Sequence, residues 1–224
     1  MHRRGTFHIF DLFGKKVEIS QSIALETLSE KHQLILAAAR RRFAHYGFSK
    51  STMDEIAADV GMAKPSLYYY YSTKEHLFTA VVSREQEQFV HDVDAALRKE
   101  TSWSHKLKDY IALRVKLFRE LVNLSQLGLN SWFEMKRVTG DLSKTFEQRE
   151  LKFIQTILAG GNSAGEFAIP DVHKTAKLTL HTLQGLLLRT LRGERALDDS
   201  SYSELSREME CLIDHLITGI QKHS

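Results

Sequence analysis

Residues 64–75 read Lys-Pro-Ser-Leu-Tyr-Tyr-Tyr-Tyr-Ser-Thr-Lys-Glu. The chain has only two prolines, and one stands directly before Ser-Leu and four consecutive tyrosines. Four large amphipathic rings in a row cannot all enter one small core. On a helix, at about 100° per residue, Leu67 and Tyr71 are i and i+4 and share a face. Ser66, Tyr69 and Tyr70 point the other way, and Lys64 and Tyr68 lie on a flank. A tyrosine ring packs on sugar or a thymine methyl while its hydroxyl donates to a phosphate oxygen. The start of such a helix adds free N–H groups where the dipole favours an anion. Thr52 at the start of the preceding segment and Lys74 at the start of the next offer the same chemistry. The competing reading of the tyrosines is a protein–protein surface or a larger core.

The elements that must position these residues are helical. Apolar residues recur at three- and four-residue intervals over most of the chain, and strict alternation is almost absent. A first helix covers about 29–46, with Ile35, Ala38, Ala39 and Phe43 as its stripe and Gly47 as its C-terminal cap. Thr52 and Glu55 form a capping-box pattern that opens a short helix carrying Ile56, Ala57 and Val60. Gly61 ends it. The next helix starts near Lys64, with Pro65 in its first turn, where a missing N–H removes no helical bond. Ser72 and Glu75 read as a further capping box opening a fourth helix. Three short, closely joined helices separated by a glycine turn make a helix-turn-helix pattern.

Composition sets limits on everything else. The 224 residues are 42% apolar, enough for a substantial core, and the formal net charge is only +3. That mild basicity permits a nucleic-acid partner without requiring one. The single cysteine, Cys211, excludes a disulfide framework and a cysteine-rich zinc site, makes the cytoplasm the default location, and reads as a small buried hydrophobe. No apolar run approaches the length that spans a bilayer, and the first residues lack a signal-peptide pattern. None of the 11 histidines forms a metal-binding spacing, and no phosphate-cradling glycine loop or nucleophile elbow is present. No metal, cofactor or catalytic residue is expected, and the chain does not read as an enzyme. Residues 1–28 form an N-terminal extension of unclear role, in which FHIF and KKVEIS are either short extended pieces around Gly14 or an irregular arm.

The segment ILAAARRRFAHYGFSKSTMDEIAADVGMAKPSLYYYYSTKEHLF, about residues 34–82, resembles the DNA-binding domain of the TetR family of bacterial transcription regulators. The resemblance implies an all-α chain, with a three-helix helix-turn-helix domain at 29–82 and a larger helical effector-binding and dimerisation domain at 83–224. It implies that Lys64, Pro65, Ser66 and Tyr68 face base edges in the major groove, and that Thr52, Tyr69, Tyr70 and Lys74 contact phosphates. Tyr71 falls at a position usually held by an apolar aromatic and belongs to the core. The function implied is that of a homodimeric, ligand-responsive repressor on a palindromic operator, with double-stranded DNA and a small-molecule effector as partners. A DNA-organising factor or protein-binding adaptor built on the same helices is the alternative.

The larger half has no motif of its own. Trp103, Leu107, Tyr110, Ile111, Leu117, Phe118 and Leu121 make one stripe, and Arg114 falls on it. A charge there either pairs with a buried acid or snorkels, or it anchors an acidic group of a ligand. Trp103, Tyr110, Arg114, Phe118, Trp132, Phe133, His181 and Gln184 are the candidate effector residues, with plain core as the competing reading. Helices near 171–192 and 202–222 carry broad apolar faces suited to a symmetric four-helix interface. Val172, Leu180, Leu187, Leu205, Met209, Leu212, Leu216 and Ile220 are its expected contacts.

The division of roles on the third helix is testable. Tyr69→Phe is expected to weaken DNA binding about uniformly across sequences, because a phosphate contact carries little base information. Lys64→Ala is expected to relax base preference as well. Competition binding of each variant against a panel of altered sites reads out the difference.

Overall fold

A computed structural model describes the backbone of residues 9–10, 16–17, 19–125, 129–190 and 199–221, and the side chains of residues 30–122, 136–190 and 199–221. Among the described residues, two short antiparallel strands, β1 (Ile9–Phe10) and β2 (Lys16–Val17), precede eight helices. These are α1 (Ile19–Tyr46), α2 (Met53–Val60), α3 (Lys64–Tyr70), α4 (Lys74–Leu97), α5 (Trp103–Ser125), α6 (Leu129–Ser163), α7 (Val172–Thr190) and α8 (Asp199–Ile220). The helical class expected from the periodicity is observed. Helix α1 starts ten residues before the expected position, and FHIF and KKVEIS each contribute one strand.

The helix-turn-helix forms for the local reasons its sequence carries. The Thr52 hydroxyl accepts from the Glu55 N–H, and the Glu55 carboxylate accepts from the Thr52 N–H, which closes the capping box. Gly61 caps α2 at φ 75°, a left-handed conformation that a side chain would strain. Pro65 occupies the first turn of α3. One correction is small: Thr73, not Ser72, caps α4, its hydroxyl accepting from the His76 N–H at 3.0 Å. Ile35, Ala39 and Phe43 of α1, Ile56 of α2, Leu67 of α3 and Leu77 and Phe78 of α4 meet in a core where Phe43 stacks edge-on to Phe78. Tyr71 joins it at 5% exposure, as its position implied.

Helix α4 runs unbroken from the last turn of the helix-turn-helix into the larger helical body, where it packs on α5 and α6. Helices α5, α6, α7 and α8 complete that body around Leu107, Phe118, Ile154, Leu183 and Met209. Arg40 of α1 ties the two parts together. Its Nε donates to Glu85 of α4 at 2.5 Å, and its Nη2 donates to Glu120 of α5 at 2.6 Å.

The two leading candidates for a dimer pair turn most of their leucines inward. Leu180 and Leu187 of α7 and Leu205 and Met209 of α8 are at most 2% exposed within the single chain, so they are not free to face a partner. Val172, Leu212, Leu216 and Ile220 remain half-buried. Cys211, expected to be buried, is exposed on the outer face of α8, its sulfur 3.6 Å from His215 Nδ1.

Glu166, in the turn after α6, closes the start of α5. Its carboxylate accepts from the N–H groups of Trp103 and Ser104, at 2.7 and 2.9 Å, and from the Ser104 hydroxyl. Burial alone would push this carboxyl up, but the Ser104 and Trp103 donors outweigh it and hold it below the ordinary 4.5. The stabilisation is therefore complete above the ordinary glutamate range and is lost as pH falls through the lowered value. Glu166→Gln is expected to cost about 1 kcal/mol at neutral pH. Urea unfolding at neutral and acid pH should show the gap between variant and parent closing as the medium becomes acidic.

Candidate functional site

Helix α3 turns one face into the core and the other outward. Leu67 is fully buried, and Lys64, Pro65, Ser66, Tyr68 and Tyr69 are exposed. Tyr69 is 82% exposed and Tyr68 40%, so two of the four rings stand clear of the protein. Tyr70 is less open than Tyr68 and Tyr69. It is half-buried, packed against the core, with its ring edge-on to His32 of α1 at 4.9 Å. Helix α1 supplies a neighbour there that the rotation of α3 alone does not reveal.

Lys74 is engaged within the chain. Its ammonium donates to the carbonyls of Phe48 and Ser51 at 2.9 and 3.1 Å and lies 4.4 Å from the centre of the Phe48 ring. In the free chain it pins the turn between α1 and α2. Thr52 stays exposed, but its hydroxyl already serves the cap and donates to Glu55 at 2.8 Å.

Lys64 has a partner that the sequence reading did not assign. Its ammonium lies 2.8 Å from Asp54 Oδ1 and 2.9 Å from Oδ2, and that hydrogen bond and charge raise its pKa above the ordinary lysine value. Any acceptor on a partner must share or displace this contact. Behind it, Arg42 of α1 holds Asp59 of α2 with a two-pronged bond of 2.6 and 2.8 Å. The Arg42 bond keeps the Asp59 carboxyl below its ordinary range. The outward face is thus a short helix with one lysine, one serine and two tyrosines, fixed from behind by packing and ion pairs.

The helical body contains a cavity of about 70 Å³ among α4, α5, α6 and α7. Of the candidate effector residues, it brings together Arg114 and Gln184. Tyr110 is buried beside it and donates to Glu150 Oε1 at 3.1 Å, and burial drives its own pKa well up. Phe118 is fully buried packing and does not line the cavity. Trp103 sits at the far end of α5, against Gly160 of α6, where a Cβ would come within 2.3 Å of the ring. His181 is exposed on the outer side of α7. Trp132 and Phe133 lie outside the residues whose side chains are described. Gln86, Thr139 and Glu150, all buried, were missed. Their signal was available, since each is a polar residue on the apolar side of its helix. Among the described residues, no helix is long and apolar enough to cross a membrane.

Comparison with known proteins places this geometry. Residues 35–81 match the family described as bacterial regulatory proteins, tetR family. A transcriptional regulator from Cytophaga hutchinsonii, solved by crystallography, is 37% identical, with a TM-score of 0.79 over 85% of this chain and 98% of that one. The transcriptional regulator RutR of Escherichia coli K12 is 27% identical over 149 residues, 64% of this chain and 68% of RutR. The regulator FadR of Bacillus subtilis, crystallised with stearoyl-CoA, shares the fold at 21% identity and a TM-score of 0.61, over 84% of this chain and 99% of that one.

The inward role of Lys74 separates two outcomes. Lys74→Met is expected to lower stability by about 1–3 kcal/mol, because two carbonyls lose their donor. The slope of log affinity against log salt should stay unchanged, since no phosphate contact is removed. Thermal unfolding and a salt titration of DNA binding measure the two effects separately.

Proposed function

We propose that this chain, which belongs to the TetR family of bacterial regulatory proteins, is a ligand-responsive repressor that binds a palindromic operator as a homodimer. It is a DNA-binding transcriptional regulator, and its relatives are transcriptional regulators in turn. The observation that carries the reading is the outward face of α3. Lys64, Ser66, Tyr68 and Tyr69 are exposed on a helix whose opposite face is locked into the core. Such a helix enters a major groove, with Lys64, Pro65, Ser66 and Tyr68 toward base edges and Tyr69 toward the backbone. In a dimer, two copies reach half-sites about one helical turn apart, roughly 34 Å, or a multiple of it.

The effector enters the body at the cavity beside Arg114. A regulator of the same fold crystallised with stearoyl-CoA supports a body that receives small molecules. Helix α4 connects the two sites, because it begins at the helix-turn-helix and lines the cavity through Val82 and Gln86. Arg40 adds a second link. Its partners Glu85 and Glu120 are the immediate neighbours of Gln86 and Leu121 in the cavity wall. An effector that prefers the body arrangement in which the two α3 helices miss the groove spacing weakens DNA binding by its differential affinity, typically about 1–3 kcal/mol. The dimer face is the outer side of α7 and α8, where Leu178 is 58% exposed and Leu212 and Leu216 are half-buried. Repression of this kind takes place in the cytoplasm, where the operator is.

The test is binding of the full chain to the DNA upstream of its own gene, against scrambled DNA, across a salt series. Selective binding that weakens steeply with salt is expected. Equal binding to both DNAs would instead indicate a DNA-organising role.

A further inference from the structure

The cavity in the helical body holds a buried cation that the protein does not fully satisfy. Arg114 is 7% exposed, and its ion-pair partner Glu150 is 1% exposed. The Nε edge of the guanidinium engages Glu150, whose Oε1 also accepts from the Tyr110 hydroxyl. Nη1, a separate nitrogen of the same planar guanidinium, is buried without a hydrogen-bond partner. A buried charged donor left unmet is costly, so this atom marks a place for an acceptor.

Arg114 lines the cavity, and so does Lys136 at its exposed rim. Glu147 and Glu150 balance these two cations, which sets the pocket against a polyanion such as a phosphate ester. A cation would find Glu150 already engaged by Arg114 and Tyr110, which leaves it the half-buried Glu147 among the lining residues, against the charges of Arg114 and Lys136. The remaining wall is apolar, from Val82, Leu121, Phe146 and Leu187. The volume of about 70 Å³ is several times the roughly 10–15 Å³ that one water needs on the same measure. One wall is also broken. Helix α6 is interrupted at Gly140, at φ 30° and ψ −106°, between the lining residues Thr139 and Ser143. Only a residue without a Cβ takes that conformation without strain, so the cavity is bordered by two helical pieces instead of one rigid rod.

We propose that the effector of this regulator is a small monocarboxylate, whose acid group accepts from Arg114 Nη1 while its apolar part packs on Val82, Leu121 and Phe146. This rests on the ligand-responsive reading above and names the chemical class that the reading leaves open. Arg114 is then at once the buried partner of Glu150 and the specificity-determining contact for the ligand.

The experiment compares butyrate, hexanoate and benzoate with butyramide, hexanamide and benzamide, and with choline, on the full chain. Thermal shift and calorimetry give binding, and release from operator DNA gives response. At least one acid is expected to raise Tm and to bind roughly tenfold or more tightly than its amide, as a charge-assisted bond requires. The double variant Arg114→Gln, Glu150→Gln keeps the pair neutral and should lose that preference. If it does not fold, Arg114→Lys moves the charge without removing it and should change the acid-to-amide ratio. Equal binding of acid and amide, preference for choline, or no shift with any acid would overturn the proposal. Release of DNA by an amide or choline would do so while leaving the regulator reading intact. Failure of the parent chain to bind operator DNA at all would instead remove that reading.

Discussion

The rotation of a single short helix decides what this protein can touch. Leu67 is fully buried and Tyr71 nearly so, one turn apart on the same side of the chain. Burying a leucine of this kind contributes about 1.5–3 kcal/mol, which fixes the helix against α1, α2 and α4. With that side committed, Lys64, Ser66, Tyr68 and Tyr69 have no other direction than outward. The surrounding chemistry serves the same constraint. The capping box at Thr52, the left-handed Gly61, Pro65 in the first turn and Lys74 across the Phe48 and Ser51 carbonyls all limit how α3 can tilt.

The connection from this helix to the body is short and continuous. Helix α4 is covalently part of both, and Arg40 bridges from α1 to α4 and α5 through two carboxylates. Arg40 is only partly buried, so its bonds are modest in strength and sensitive to small shifts of α4 against α5. A contact of that kind suits a switch, since a strong and fully buried lock would resist the change that a ligand of moderate affinity can drive.

Much of the helix-turn-helix was legible because its signals are local. A glycine that must adopt positive φ, a proline confined to a first turn, and a threonine three residues before a glutamate each act within a few residues. What escaped depends on distant neighbours. Tyr70 leans on His32, and Lys74 on the end of α1 and the following turn, neither of which the periodicity of α3 or α4 contains. The faces of α7 and α8 show the same limit. Both carry apolar faces broader than a narrow stripe, so the sequence could not tell which leucines pack at home and which are left for a partner. The structure takes Leu180, Leu187, Leu205 and Met209 for the chain's own core and leaves Leu178 and Cys211 outside. Arg114 was legible as an anomaly, a charge on an apolar stripe. Its pairing with Glu150 was not, because that residue is on another helix.

Hydroxyl-radical footprinting of the full chain, free and bound to its own upstream DNA, measures the central claim directly. Oxidation of Tyr68 and Tyr69 should fall sharply on DNA binding, while Cys211 on α8 reacts as before. Unchanged oxidation of the two tyrosines in a DNA-bound protein would contradict the account and return the exposed rings to contact with another protein.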